Sequence, residues 1–272
     1  LNGLLMDRAV RLVTVQGPGG IGKSRLLLAL IESFRSAERF PDGMFVISLA
    51  EIDDIARASR VIAAKLNVPA GAYSVTQALL KYLAPKKLLL LLDNYEHLST
   101  DVDLIVAILQ AAPGVKLLVT SQVRLNVREE NLYPLGGLAT SGSHGQAPPA
   151  AQQLFAQAAK RVRPDFRLAQ DMKLVTDICL HLEGLPLAIE LAAGWTRLMS
   201  CKEIAAEIGR GTDVLTSRLR DLPRRHQSMQ ALLERTWLLL SEEEQSLTRK
   251  LSVFQGGFDL AAACAVVGTK HD

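Results

Sequence analysis

The stretch "VTVQGPGGIGKSRLLLAL", Val13 to Leu30, sets four glycines and a lysine at the joint between a β-branched apolar run and a run of helical apolar spacing. Gly17, Gly22, Lys23 and Ser24 satisfy G-x-x-x-x-G-K-[ST]. The order strand, glycine loop, helix is the context in which that pattern cradles phosphate. Without a Cβ, glycine adopts positive φ, so the loop can turn its N–H groups toward phosphate oxygens. The helix that follows points its positive end at the same anion. Pro18 stiffens the entry, and Gly19 and Gly20 add freedom. Gly17, Pro18, Gly19, Gly20, Ile21, Gly22, Lys23, Ser24 and Arg25 are the expected phosphate-binding set. In it Lys23 reaches the β- and γ-phosphates and Ser24 ligates magnesium.

A phosphate loop needs a second acid for the metal. "KLLLLLD", Lys87 to Asp93, supplies one: five leucines suit a buried central strand, and Asp93 emerges at its carboxyl end, where ligands bind in open parallel sheets. Three residues on, in "DNYEHL", Glu96 is the candidate to orient or deprotonate an attacking water. His97 reads as packing or surface. A further strand ends in "VTSQVRL"; if it lies between the two phosphate-binding strands, Thr120 and Ser121 stand where polar tips sense the γ-phosphate, and Arg124 can add charge.

The order of apolar runs extends this reading. Strands are expected at Arg11–Gln16, Met44–Leu49, Lys87–Leu92, Val115–Thr120 and Asn131–Leu135, with helices at Lys23–Phe34, Asp54–Leu66, Val75–Leu83 and Leu104–Ala111. Strands without polar alternation, separated by helices, indicate a parallel sheet covered on both faces. "ATSGSHGQAPPA", Ala139 to Ala150, reads as a linker. Beyond it the pattern is helical: Ala150–Val162, Leu168–Leu182, Pro186–Leu198, Cys201–Ile208 and a set from Gln227 through Leu240. Ser241 and Glu244 then make a capping box, and a helix starts at Leu260. The expected organisation is a nucleotide-binding α/β domain over 1–138, a linker over 139–150, a small helical domain over 151–212 and a truncated winged-helix domain over 213–272.

Composition narrows the alternatives. The 272 residues are 49% apolar and 22% charged, enough for a sizeable core. A formal charge of +3, with basic residues scattered, argues against nucleic-acid binding by charge. Cys179, Cys201 and Cys264 are widely separated and contain no CxxC pair, so reduced thiols in a cytoplasmic protein are expected. Apolar runs such as Leu88–Leu92 fall short of the roughly 18 residues of a membrane helix. A chain that opens on Leu1 and breaks off within an apolar pattern at Asp272 is expected to be part of a larger polypeptide.

Several further segments occur in a fixed order with these: "NLYPLGGL", "AAQQLFAQAAKRVRPDF", "EGLPLAIELAA" and "RRHQSMQALLERTWLLLSEEEQSLTRKLSVFQGGF". Together with the glycine loop, "LLLLLDNYEHL" and "KLLVTSQVRLNV", they resemble the bacterial STAND ATPases, relatives of the NB-ARC modules of plant resistance and apoptosome proteins. The flavour is that of the ATPase core of SARP-type and LuxR-type transcription regulators. The resemblance implies a P-loop NTPase three-layer α/β/α parallel sheet, followed by a helical domain and a partial winged-helix domain, enclosing ATP or ADP with Mg2+. It also implies that Gly184–Leu187 is the "GLPL" turn, with Pro186 against adenine; from the residues alone, Gly184 and Pro186 read as a helix stop and restart. Two departures stand out. Gln122 occupies the position after "TS" where the family usually carries arginine, and the family's glycine-arginine-glutamate segment before the first strand is missing. His226 in "RRHQSM" reads as structural or surface.

The leading expectation is an ATP/ADP switch that hydrolyses ATP slowly and is read by effector and sensor domains of the same larger chain, with nucleotide-dependent self-association. No membrane contact and no nucleic-acid contact are expected of this chain alone. The other readings are a nucleotide-stabilised scaffold that never hydrolyses, and a P-loop phosphotransferase or nucleic-acid motor.

Overall fold

The computed structural model describes residues 1–34, 40–50, 52, 54–69, 74–98, 101–142, 147–210, 237, 240–254 and 258–268. Five strands form one all-parallel sheet: β1 (Leu12–Gln16), β2 (Met44–Ser48), β3 (Leu89–Asp93), β4 (Lys116–Ser121) and β5 (Glu130–Pro134), in the order β2-β3-β4-β1-β5. β4 is thus inserted between β1 and β3, as the reading of Thr120 requires.

The strands lack polar alternation because both faces are covered. Leu90 and Leu92 of β3, with Leu117 and Val119 of β4, pack under α3 (Ile55–Lys65), α4 (Val75–Leu83) and α5 (Asp103–Ala111). Their neighbours Leu89, Leu91 and Leu118 turn the other way, with Val13 and Val15, onto α1 (Asn2–Met6) and α2 (Lys23–Phe34). Burying a leucine side chain contributes about 1.5–3 kcal/mol, and Leu89 to Leu92 are all sealed from solvent. This is a three-layer α/β/α sandwich.

Polar side chains fasten the layers. Arg11 donates to the carbonyls of Leu109 and Ala112 at 2.6 and 2.8 Å, capping the carboxyl end of α5. Buried Lys116 donates to the carbonyls of Leu5, Asp7 and Val10, tying the segment around α1 to the start of β4.

After β5 the chain becomes helical: α6 (Ala150–Val162), α7 (Leu168–His181), α8 (Pro186–Gly194) and α9 (Cys201–Arg210), sharing a second core around Phe155, Phe166, Ile178 and Ile189. Pro186 sits in the first turn of α8, where its missing N–H costs nothing. The single helix expected over Pro186–Leu198 ends instead at Gly194 and continues as a 3₁₀ turn, Trp195–Arg197. Further on, α10 (Glu242–Leu251) opens with the expected capping box: Glu244 N donates to Ser241 Oγ at 3.2 Å and Ser241 N to Glu244 Oε2 at 2.8 Å. α11 (Leu260–Val267) follows. The helix expected over Gln227–Leu240, apart from Trp237 and Leu240, lies outside the described residues, as do His226 and much of the expected winged helix.

Candidate functional site

The site lies at the carboxyl ends of β1, β3 and β4, where the geometry of an open parallel sheet puts ligands. The loop of residues 17–22 leaves β1 with Gly17 N donating to Ser121 O at 3.2 Å. Gly20 and Gly22 have φ of 74° and 100°, which only glycine takes without strain. A side chain on Gly17 would crowd Ile21 and the Leu135 carbonyl, each 3.0 Å from its Cβ. The amides of Lys23, Ser24 and Arg25 open α2, and first-turn amides have no carbonyl one turn back to bond. A loop of this shape, ending on a helix, has the backbone geometry that favours an anion.

Lys23 is only 6% exposed, and its Nζ donates to the carbonyls of Gly17 and Pro18 at 2.7 and 3.1 Å. Burial pulls its pKa down, while the charges of Glu96 and Asp93 hold it up. Asp93 ends β3, and its Oδ1 lies 2.5 Å from Thr120 Oγ1. Asn94 turns into the left-handed region, φ 65°, so its N–H reaches back to Thr120 Oγ1 at 2.9 Å. The Asn94 side chain donates to Glu96 Oε1 at 3.2 Å. Glu96 is buried in a 3₁₀ turn, Tyr95–Leu98, anchored by Tyr95, whose fully buried ring sends its hydroxyl to Asp101 O at 3.2 Å. Burial pushes the Tyr95 phenol well above its ordinary pKa and keeps it neutral.

Of the residues expected at the site, Lys23, Asp93, Glu96 and Thr120 share one neighbourhood. Ser24 and Arg124 are exposed, and Ser121 is buried with its Oγ accepting from Val123 N at 3.2 Å. Gln122 offers its carbonyl to Gln16 Nε2 at 3.4 Å.

Beside the loop opens a cleft of about 410 Å³, lined by Pro18, Ile21, Leu135, His181, Leu182 and Leu185 among others. Its wall includes Leu185 and Ala188, on either side of Pro186. The helical segment touches the loop directly: Leu187 N donates to Gly20 O at 3.3 Å, and Arg25 pairs with Glu190 at 3.8 Å. Leu135, His181 and Leu182 were not singled out from sequence. Only the position of "YPLGG" just past the last strand gave a signal for Leu135.

For a magnesium ion the donor chemistry fits. Magnesium is usually held by one or two protein oxygens together with substrate phosphates, and a carboxylate at the end of β3 and a Ser hydroxyl in the first turn of α2 are oxygens of that kind. Among the described residues no cluster of three or more His, Cys, Asp or Glu could hold a metal by itself.

Residues 11–133, from β1 into β5, match the family model of the NACHT domain. The chain carries a NACHT-type P-loop NTPase domain of the STAND class. Similarity extends beyond that domain. A Mycobacterium tuberculosis protein named as an HTH-type transcriptional regulator, Rv0890c, is 34% identical over 259 residues, covering 94% of this chain and 28% of that protein. An uncharacterized M. tuberculosis protein, Rv0894, is 33% identical over 272 residues, covering 99% of this chain and 66% of its own length. The NACHT-bearing chain thus spans 28% of the first relative and 66% of the second. Among solved structures, a STAND protein with a tetratricopeptide repeat sensor from Pyrococcus horikoshii aligns over 99% of this chain and 36% of its own, at 13% identity and TM-score 0.43. Cdc6p from Pyrobaculum aerophilum aligns over 96% and 75%, at 14% identity and TM-score 0.46. No helix among the described residues is long and apolar enough to cross a membrane.

Proposed function

We propose that this chain is the ATP/ADP-binding switch module of a larger cytoplasmic signalling or transcription-regulatory protein, and that it hydrolyses ATP slowly. One observation carries the reading: Lys23 is buried at the mouth of a glycine loop whose φ angles suit an anion cradle, its Nζ held on the Gly17 and Pro18 carbonyls. The adjacent cleft has the apolar wall that a purine base needs.

In this reading the amides of the loop and the first turn of α2 hold the phosphate oxygens. Lys23 exchanges its loop carbonyls for the β- and γ-phosphates. Ser24 and Asp93 would hold Mg2+, which supplies charge neutralisation on the phosphates when bound. Glu96, fixed by the Asn94 side chain, orients a water and takes its proton. Arg124 stands in for the arginine that Gln122 replaces, and Pro186 together with Leu185 and Ala188 packs on the base. The contacts of α8 with Gly20 and Arg25 let the helical segment respond to the state of the loop. Only a contact that differs between the ATP and ADP states can shift such an equilibrium.

We assign residues 1–138 to the nucleotide-binding domain, 139–150 to a linker, 151–212 to the helical domain and 213–272 to a winged helix. The regulator's name supports an output in transcription, delivered by effector and sensor domains of the longer chain and by self-association. Identifying nucleotide released from the purified, denatured protein tests the proposal. Stoichiometric adenine nucleotide is expected; nucleotide-free protein that also fails to bind added ATP or ADP would exclude it.

A further inference from the structure

We infer that Thr120 is a positioning residue that sets the orientation of the Asp93 carboxylate toward the metal. The inference rests on the nucleotide-and-magnesium reading above.

Thr120 is fully buried on β4, between the strand that leads into the glycine loop and the strand that carries Asp93. β4 pairs with β1 at Val15↔Thr120 and with β3 at Leu92↔Val119, so Thr120 stands one residue past that last pair, level with Asp93. Its Oγ1 lies 2.5 Å from Asp93 Oδ1 and 2.9 Å from Asn94 N.

The direction of both bonds is fixed by chemistry. A backbone N–H only donates, an ionised carboxylate only accepts, and a hydroxyl has one proton to give. Asn94 N–H therefore donates to Thr120 Oγ1, and Thr120 O–H donates to Asp93 Oδ1. The hydroxyl proton that a direct phosphate contact would need is already engaged. Thr120 thus acts on the phosphates through Asp93.

Two features make this relay stiff. The β-branched side chain has restricted χ1 freedom, and the left-handed turn at Asn94, φ 65°, aims the donor back at β4. With Oδ1 held by Thr120, the carboxylate is restrained and Oδ2 would be the oxygen left for a cation. Partners that orient a metal-holding group typically change metal affinity 10- to 100-fold when removed.

The test compares ADP affinity in Mg2+ with that in EDTA for the wild type, Thr120→Val and Thr120→Ser. Valine keeps the shape and removes the hydroxyl; serine keeps the hydroxyl. Thr120→Val is expected to match the wild type in EDTA and to lose about tenfold or more of the Mg2+-dependent gain, with Thr120→Ser restoring it. A full Mg2+ gain in Thr120→Val would overturn the inference, as would equal weakening in both conditions that serine does not rescue. ADP binding by the wild type without any Mg2+ gain would also overturn it while leaving nucleotide binding intact, whereas no ADP binding at all overturns the functional proposal with it. Should Thr120→Val not fold, Thr120→Ala carries the same expectation.

Discussion

Gly137 and Glu183 meet backbone to backbone: a Cβ on Gly137 would fall on the Glu183 carbonyl oxygen, far inside van der Waals contact. The contact is reciprocal, because a Cβ on Gly184 would strike the Leu138 backbone, whose N–H donates to Gly184 O at 2.8 Å. Gly184 also has φ 67°. This clasp joins the end of β5 to the turn between α7 and α8 and so shapes the cleft. Gly137→Ala and Gly184→Ala are each expected to destabilise the protein by about 1–3 kcal/mol in urea unfolding. Gly136→Ala, which meets nothing within 4 Å, is expected to stay within about 0.5 kcal/mol. Equal effects at Gly136 and Gly137 would contradict the clasp.

Lys116 holds three carbonyls of the segment around α1 from a site that is 8% exposed. Lys116→Met keeps the length of the side chain and removes the donors. Hydrogen bonds to charged groups contribute about 1.5–3 kcal/mol each, with strong non-additivity. Amide exchange is expected to speed up across residues 1–10 while β3 keeps its protection. Unchanged exchange at the amino-terminal segment would show that apolar packing of Leu5 suffices.

Burial pushes the Cys179 thiol from 9.0 up to about 12, and burial together with Asp171 pushes Cys201 to about 11. Only the thiolate is nucleophilic, so alkylation of the native protein at pH 8 is expected to modify the partly exposed Cys264 well ahead of the other two. The sign of the linked stability effect follows. With the folded pKa above the unfolded one, the folded state binds more protons between about pH 9 and 12, and stability falls as pH rises through that window. Faster labelling of Cys179 than of Cys264 would contradict the burial.

Glu96 touches the proposed chemistry, whereas the phosphates are assigned to Lys23 and to the amides of the loop and of α2. Glu96→Gln keeps an acceptor for Asn94 Nδ2 and loses the base. Its ATP turnover is expected to fall by about 10²–10⁴ with ADP affinity preserved. Equal turnover would remove Glu96 from catalysis, and a wild type with no turnover would favour the non-hydrolysing scaffold.

The fold was legible where one physical constraint dominates. Strands buried on both faces must be apolar throughout, which marked β1, β3 and β4. Lys23–Phe34, Val75–Leu83 and Ala150–Val162 match the periodic pattern to the residue. α1 was missed because five residues carry too little periodicity, and the 3₁₀ turn at Tyr95–Leu98 because its stability comes from burying Tyr95. At the site, Lys23 and Asp93 were visible as loop and strand-end chemistry. The Asn94 turn and the Gly137–Glu183 contact were not, since both depend on which backbone atoms the fold brings together. Thr120 was visible as a polar residue at a strand tip, but its bond to Asp93 needed the register of β4.

The capture of a polyphosphate by the loop and Lys23 is the claim on which everything else depends. Calorimetric titration of ADP with Mg2+ into the wild type and into Lys23→Ala tests it most directly. Saturable binding to the wild type is predicted, weakened at least about tenfold in the variant. Equal affinity in the two proteins would contradict the account.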